Sequence, residues 1–102
     1  MLKKTSTIRG LRPGDLVYHL LYGKEWVGIL VGIEEEVSGL STPREIGLVA
    51  MQPSTKHAHF FQKNVSTKYR VSDSMGYVSI NWLFRLGKKD TQLRSVIQEE
   101  DK

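Results

Sequence analysis

Hydrophobic and polar residues in the first third of the chain alternate with the two-residue period of β-strands. Residues 15–22 (DLVYHLLY) follow the turn signal Pro13-Gly14-Asp15 and are rich in β-branched, aromatic and leucine side chains. Residues 26–33 (WVGILVGI) alternate more sharply, which predicts one apolar core face formed by Val27, Ile29, Val31 and Ile33. Between the two runs, residues 23–25 (GKE) predict a tight hairpin loop. The fold is therefore expected to open with an antiparallel hairpin.

The second strand of this hairpin also carries two glycines, Gly28 and Gly32, on the face opposite Val27. Glycine weakens a strand unless a bend or a close backbone approach requires it, so the pair predicts the strongly coiled strand of a small barrel. Trp26 shares the glycine face. An indole beside two glycines predicts a shallow platform on which a partner binds.

The rest of the pattern predicts short strands separated by turns. Residues 34–45 combine acidic residues with Gly, Ser and Pro and predict an exposed loop, and residues 46–51 predict a third strand. Residues 68–71 predict a fourth strand. A turn at 73–76 follows, and Asn81-Trp82-Leu83 predicts a single 3₁₀ turn before a last strand. The sequence thus predicts an all-β fold, a small barrel of five or more short strands.

The predicted barrel spans residues 13–87, between a basic N-terminal arm (1–12) and a charged C-terminal tail (88–102). Within the tail, apolar residues at spacings of three and four predict a short helix over residues 90–97. The N-terminal arm holds four cations and no acid, whereas the tail has equal numbers of both.

Composition narrows the chemistry and the compartment. The 102 residues include no cysteine, which excludes disulfides, thiolate zinc sites and cysteine nucleophiles. No apolar run reaches the length of about 18 residues that a membrane span needs. The first ten residues lack the apolar core of a secretory signal. We therefore expect a cytoplasmic protein with no membrane partner.

Charge leaves a nucleic-acid partner open. Fifteen Lys+Arg against 11 Asp+Glu give a net charge of +4, with a cationic excess in residues 1–12 and again in residues 56–73. The candidate phosphate-binding residues are Lys3, Lys4, Arg9, Arg12, Lys56, Lys63, Lys68 and Arg70. A normally charged soluble surface explains the same numbers.

Catalytic chemistry has little support in the sequence. His57 and His59 would share one face of a strand and could reach one metal ion, but a third ligand would have to come from His19 or Asp73. Two exposed loop histidines are the simpler alternative. No serine lies in a nucleophile elbow, and no glycine-rich phosphate loop is present. The sequence therefore predicts no enzyme, no metal site and no cofactor.

Aromatic residues are the best candidates for contact with a protein partner. The candidate partner-binding residues are Tyr22, Trp26, Phe61 and Trp82. Phe60 and Phe61 are adjacent and, if extended, point to opposite faces, so one of them is expected to anchor an interface. The alternative for the two indoles is that they cover the ends of the barrel.

Two segments resemble a known fold. RPGDLVY followed by EWVGILVGI resembles the opening hairpin of Src-homology-3-like (SH3-like) barrels, and residues 76–86 (GYVSINWLFRL) resemble the closing segment. The matching positions in the closing segment are Gly76, Val78, Asn81, Trp82, Leu83 and Leu86. The resemblance implies a small SH3-like barrel with Trp82 in the place of the ligand-stacking tyrosine. Ser79 stands where that family has its ligand-contacting proline, so binding of proline-rich peptides does not carry over.

Most of the chain is also similar to small uncharacterised proteins of tailed phages of marine cyanobacteria, in particular over LVYHLLYGKEWVGILVGIEEE, MQPSTKHAHFF and DSMGYVSINWLF. This similarity implies a phage protein that works in the host cytoplasm or in a virion, and it brings no activity with it.

The sequence as a whole predicts a non-catalytic SH3-like binding or assembly module. Its partner is expected to be another protein or a second copy of the chain, which would make a homo-oligomer. The alternative is a nucleic-acid-binding β-barrel that uses the basic arm and the stretch from Lys56 to Arg70.

Overall fold

The computed structural model describes residues 2–3, 5–40 and 42–87, which form an antiparallel sheet with one short helix and one 3₁₀ turn. The elements are β1 (Leu2–Lys3), β2 (Leu16–His19), β3 (Gly23–Glu36), β4 (Arg44–Met51), α1 (Phe60–Asn64), β5 (Arg70–Ser72), β6 (Met75–Ser79), the 3₁₀ turn (Ile80–Trp82) and β7 (Leu83–Arg85). The predicted small all-β fold and the 3₁₀ turn before the last strand are confirmed. The predicted helix at 90–97, within the tail 88–102, lies outside the described residues.

Hydrogen-bonded strands follow the order β5-β6-β4-β3-β2-β7, with β1 paired to β3 beside this path. All pairs are antiparallel. Strand β3 is the longest, with 14 residues, and it pairs with β2 through its first half and with β1 near its end. Because β4 runs along most of its other edge, β3 joins the two halves of the sheet.

One apolar core lies on one face of this sheet, and α1 contributes two side chains to it. Its buried members are Leu11, Val17, Trp26, Leu30, Ile33, Val49, Met51, Phe60, Phe61, Val78, Ile80 and Leu83. Leu11 comes from the predicted basic arm and is fully buried. Nearby, the hydroxyl of buried Ser6 donates a hydrogen bond of 2.8 Å to the Glu45 carboxylate. The described part of the arm is therefore packed onto the sheet.

The predicted core face of β3 is wrong at Ile29 and Val31, whereas Val27 and Ile33 are buried as predicted. Ile29 and Val31 are 38% and 46% exposed, whereas Trp26 and Leu30 are fully buried. The pairing register shifts between Leu30 and Gly32, which face Val49 and Leu48 in turn, so Val31 is an extra, bulged residue. Strict alternation of inward and outward side chains fails at this extra residue. A prediction that continues the alternation from Ile33 to residues 31 and 29 therefore places the wrong side chains in the core.

The hairpin between β2 and β3 turns earlier than predicted. Strand β2 ends at His19, and residues 20–22 form the turn, which ends at Gly23 with a φ of 72°. Positive φ costs glycine little, because it has no Cβ. The segment 23–25, predicted as the loop, already belongs to β3.

Strand β3 also continues further than predicted. Its last three residues are the glutamates 34–36, which the sequence placed in an exposed loop. They pair with Ile46, Glu45 and Arg44 of β4 in that order. Glu45, predicted in the same loop, is buried.

The prediction that Phe60 and Phe61 diverge is also wrong. Residues 60–64 form a helical turn, in which neighbouring side chains are about 100° apart rather than opposed. Both phenylalanines enter the core, with 7% and 0% exposure. Gly76, expected to allow a turn, lies inside β6, where a Cβ would come within 2.5 Å of the Phe61 ring.

Candidate functional site

A group of exposed apolar side chains lies at one end of the β2–β3 hairpin. Leu20, Leu21 and Tyr22 form its turn and are 52%, 69% and 40% exposed. Trp82, at the end of the 3₁₀ turn, is 39% exposed, and its carbonyl accepts a hydrogen bond of 2.8 Å from the Leu20 N–H. We name these four residues the aromatic patch.

His19 joins the two rings of the aromatic patch from beneath. Its imidazole stacks on Trp82, with centroids 5.6 Å apart and planes 7° from parallel, and its centroid lies 4.8 Å from that of Tyr22. The histidine itself is 6% exposed. Both rings are therefore supported by a buried neighbour, which limits their side-chain freedom before any partner binds.

The protonation state of His19 follows from its surroundings. Burial lowers its pKa below the ordinary value, and its Nδ1 accepts a hydrogen bond of 3.1 Å from the Leu21 N–H. A ring nitrogen that accepts a hydrogen bond carries no proton, whereas both nitrogens of the imidazolium cation are protonated. The imidazole is thus neutral near pH 7 and packs as an aromatic ring.

Arg9 holds the 3₁₀ turn in place. Its guanidinium donates to the carbonyls of Ile80 and Leu83 at 2.9 and 3.1 Å and to that of Asn81 at 3.1 Å. It also lies 3.8 Å above the Phe84 ring. One planar group therefore satisfies three backbone carbonyls, and it fixes the base on which Trp82 stands.

Two of the four predicted partner-binding residues are not on the surface. Trp26 and Phe61 are fully buried, so the platform and the anchor assigned to them are wrong. Trp26 is buried because the first half of β3 turns its side chains to the opposite side of the sheet from the one predicted. Phe61 is buried because it lies in the helical turn α1 and not in a strand. Trp26 lies beneath the aromatic patch, because its ring centroid is 5.4 Å from that of His19, and Phe61 lies deeper, with its centroid 6.4 Å from that of Trp26. Only Tyr22 and Trp82 can meet a partner directly.

Leu20, Leu21 and His19 belong to this site but were missed from the sequence. Their run was assigned to a strand, in which alternate side chains would be buried. The signal that marks the turn is Gly23 directly after a bulky triplet, because a residue with positive φ ends such a turn.

Several of the basic residues proposed for nucleic acid contact groups within the chain. Arg9 is bound to the 3₁₀ turn, and the Arg70 guanidinium donates to the Gln62 carbonyl at 3.1 Å. The Lys56 ammonium lies 3.6 Å from the Glu25 carboxylate. Lys68 stands over the Tyr69 ring at 5.2 Å, and Lys63 is in the last turn of α1. Arg12 is exposed. The structure does not describe the side chains of Lys3 and Lys4.

A polar cavity of about 500 Å³ lies where β3 leads into the following loop. The Arg44 guanidinium donates to the Glu36 carboxylate at 2.7 Å and to the Tyr69 hydroxyl at 3.3 Å. The hydrogen bond from Arg44 lowers the pKa of Glu36, and the same pair raises the pKa of Arg44. The Arg44 side chain therefore links the end of β3 to Tyr69, the residue before β5.

His57 and His59 lie in the turn before α1, not in a strand. The His57 ring lies 5.5 Å from Tyr22, and His59 is exposed at the start of α1. Among the described residues, no three metal-ligating side chains are grouped at bonding range.

Within the same residues, no helix has both the length and the apolar character to cross a bilayer. Comparison with protein-family models, with curated proteins and with solved structures finds no match to this chain.

Proposed function

We propose that the chain is a non-catalytic SH3-like binding or assembly module that takes a protein partner on the aromatic patch. The strand order β7-β2-β3-β4-β6 supports the SH3-like assignment, and so does the 3₁₀ turn between β6 and β7. The phage origin and the host cytoplasm or virion as its place of action belong to the same proposal.

The observation that carries the proposal is the exposure of Tyr22 and Trp82 on a rigid base. Tyr and Trp are enriched among the residues that dominate binding energy at protein interfaces. Here they stand 40% and 39% exposed on the same buried imidazole. Leu20 and Leu21 extend the patch with apolar surface that a partner would remove from water.

Substitution of the patch tests the proposal. We expect Tyr22→Ser with Trp82→Ser to abolish retention of a specific protein from a native lysate, while Val71→Ser keeps it. Val71 is a matched control because it is 56% exposed on edge strand β5. Far-ultraviolet circular dichroism and thermal midpoints should show that all the variants fold. Equal retention by the patch variant and the wild-type protein would overturn the proposal.

Fluorescence gives a second measurement on the purified complex. Of the two tryptophans, Trp26 is fully buried and Trp82 is 39% exposed, so acrylamide quenching in the free protein reports mainly on Trp82. Partner binding at the aromatic patch should suppress that quenching. Unchanged quenching in a saturated complex would show that the partner binds elsewhere.

A further inference from the structure

The aromatic patch is assembled around one titratable side chain, the imidazole of His19. The Leu21 N–H donates to its Nδ1 at 3.1 Å, and the Trp82 ring stacks on it with the planes 7° from parallel. The backbone carbonyl of His19 accepts a hydrogen bond of 3.1 Å from the Tyr22 N–H. The hairpin turn and both exposed rings therefore depend on a residue that can gain a proton near neutral pH.

The imidazole is surrounded by rings and by backbone. The rings that face it come from four elements and belong to Tyr22 in the hairpin turn, Trp26 of β3, Phe60 of α1 and Trp82 of the 3₁₀ turn. Within the described part of the chain, no carboxylate forms an ion pair with His19. A positive charge on this ring would therefore be buried without a counter-ion.

The charged groups of the neighbouring elements contact other parts of the chain. The contacts are Lys24 with the Tyr18 ring, Glu25 with Lys56, Arg85 with Asp15, and Arg9 with the carbonyls of the 3₁₀ turn. Lys63 lies in the last turn of α1, whereas Phe60 is its first residue. The other titratable groups next to the patch are the Tyr22 hydroxyl and His57, whose ring centroid is 5.5 Å from that of Tyr22.

A proton on Nδ1 is incompatible with this arrangement. The nitrogen would become a donor directed at the Leu21 N–H, so the hydrogen bond would be lost and two donors would face each other. Attraction between the cation and the Trp82 ring offsets part of the cost. A buried charge without a counter-ion costs more than such a contact supplies, and burial accordingly lowers the pKa of His19. The protonated ring relieves both penalties by turning towards water.

We propose that His19 is a proton-operated switch of the aromatic patch: the neutral imidazole keeps the turn 20–22 and the Trp82 ring in the binding arrangement, and the imidazolium releases them. This inference rests on the proposed function, because the same surface receives the protein partner. The partner is bound above the pH at which His19 titrates and released below it. That pH lies under the ordinary histidine value of about 6.5, because the pKa is lowered in the folded chain.

Nuclear magnetic resonance on the purified full-length chain tests the switch without a partner. The Cε1 proton of His19 reports its titration. Over the same pH range, we expect the nuclear Overhauser contacts between the His19 and Trp82 rings to disappear. The Leu21 amide should lose its protection from hydrogen exchange, after correction for the intrinsic effect of pH. The Tyr77 amide, bonded to the Tyr69 carbonyl at 2.8 Å, should keep its protection and so exclude global unfolding.

Binding measurements test the effect on the partner, with the protein that the wild-type chain retains and the Tyr22→Ser, Trp82→Ser variant does not. About one pH unit below the measured pKa of His19, roughly one-tenth of the imidazole is neutral, so the apparent dissociation constant should rise about tenfold. His19→Phe keeps a ring beneath Trp82 and cannot titrate, so its affinity should not change with pH. His19→Asn, which keeps the acceptor but not the ring, should also bind independently of pH, though more weakly.

His57→Asn distinguishes the two imidazoles near Tyr22, and it should keep the pH dependence whatever it does to the affinity itself. Loss of the pH dependence in this variant but not in His19→Phe would overturn the proposal. Contacts between the His19 and Trp82 rings that survive protonation of His19 would overturn it, and so would equal affinity at both pH values.

Failure of the proposed function would be seen separately. It would appear as equal retention of proteins by the wild-type chain and the Tyr22→Ser, Trp82→Ser variant at every pH. The resonance measurement decides in that case too, because it shows directly whether protonation of His19 releases the turn and the Trp82 ring.

Discussion

A close approach between β6 and α1 limits the size of the residue at position 76. A Cβ on Gly76 would lie 2.5 and 2.9 Å from two atoms of the Phe61 ring and 2.8 Å from the Tyr69 carbonyl oxygen. In an unconstrained strand, Gly→Ala stabilises, because it lowers the entropy of the unfolded chain. At Gly76 the same substitution should instead destabilise the folded chain.

We expect Gly76→Ala to lower the free energy of unfolding by about 1–3 kcal/mol through overpacking. Urea denaturation of the two proteins measures the difference. In a Phe61→Leu background the same substitution should cost less, because part of the ring is removed. A stabilising Gly76→Ala would contradict the packing of Phe61 against β6.

His19 makes stability depend on pH. Burial lowers its pKa in the folded chain, so the unfolded state binds a proton at higher pH than the folded state does. The contribution of His19 is therefore complete above its unfolded value of about 6.5 and is lost as the pH falls below it. Thermal midpoints between pH 8 and pH 5 should decline on the acid side, and His19→Asn should flatten that decline.

Asparagine at position 19 keeps an acceptor for the Leu21 N–H but removes the titrating ring. His59→Asn is the control for this experiment, because it leaves His19 in place and removes an exposed imidazole. Identical slopes for the wild-type and His19→Asn proteins would show that His19 does not cause the acid sensitivity.

At the level of elements, the 3₁₀ turn depends on a side chain that is remote in sequence. Arg9 binds three carbonyls of residues 80–83. Arg9→Lys keeps the charge but loses the planar fork, and we expect it to lower the free energy of unfolding by about 1–3 kcal/mol. Arg12→Lys, an exposed neighbour in the same segment, should change it little. Equal thermal midpoints for the two variants would argue against this role of Arg9.

The elements also show how far sequence reasoning reaches. Strand β4 and the 3₁₀ turn were predicted close to their observed bounds, because a Pro after a run of apolar residues and an Asn before a bulky pair mark them locally. The last strand was predicted only by its place after that turn. The core face of β3 was not predicted correctly, because one bulged residue reverses the parity and leaves no local signal. Tyr22 and Trp82 were correctly expected to be accessible, whereas burial of Trp26 and Phe61 depends on long-range packing.

At the scale of the whole molecule, the net charge of +4 makes affinity for nucleic acid the measurement that separates a nucleic-acid partner from a protein partner. A protein that neutralised four phosphates would lose affinity for DNA with a slope of about −3.6 in log K against log salt. Because the guanidinium groups of Arg9 and Arg70 already donate to backbone carbonyls within the chain, we expect weak binding to single- and double-stranded probes, with a salt slope well short of this value. Fluorescence anisotropy at low salt measures it. Tight, steeply salt-dependent binding would favour the nucleic-acid alternative.

The bulge at Val31 has a consequence for which changes in length the chain tolerates. Removing one residue from a strand ordinarily turns every later side chain to the wrong side. Here Leu30 and Gly32 already face consecutive residues of β4, so loss of Val31 would leave Ile33 directed inward as before. What such a deletion would remove is the local kink. Single-codon deletions along β3 should therefore be harmful on either side of position 31 and best tolerated at that position itself.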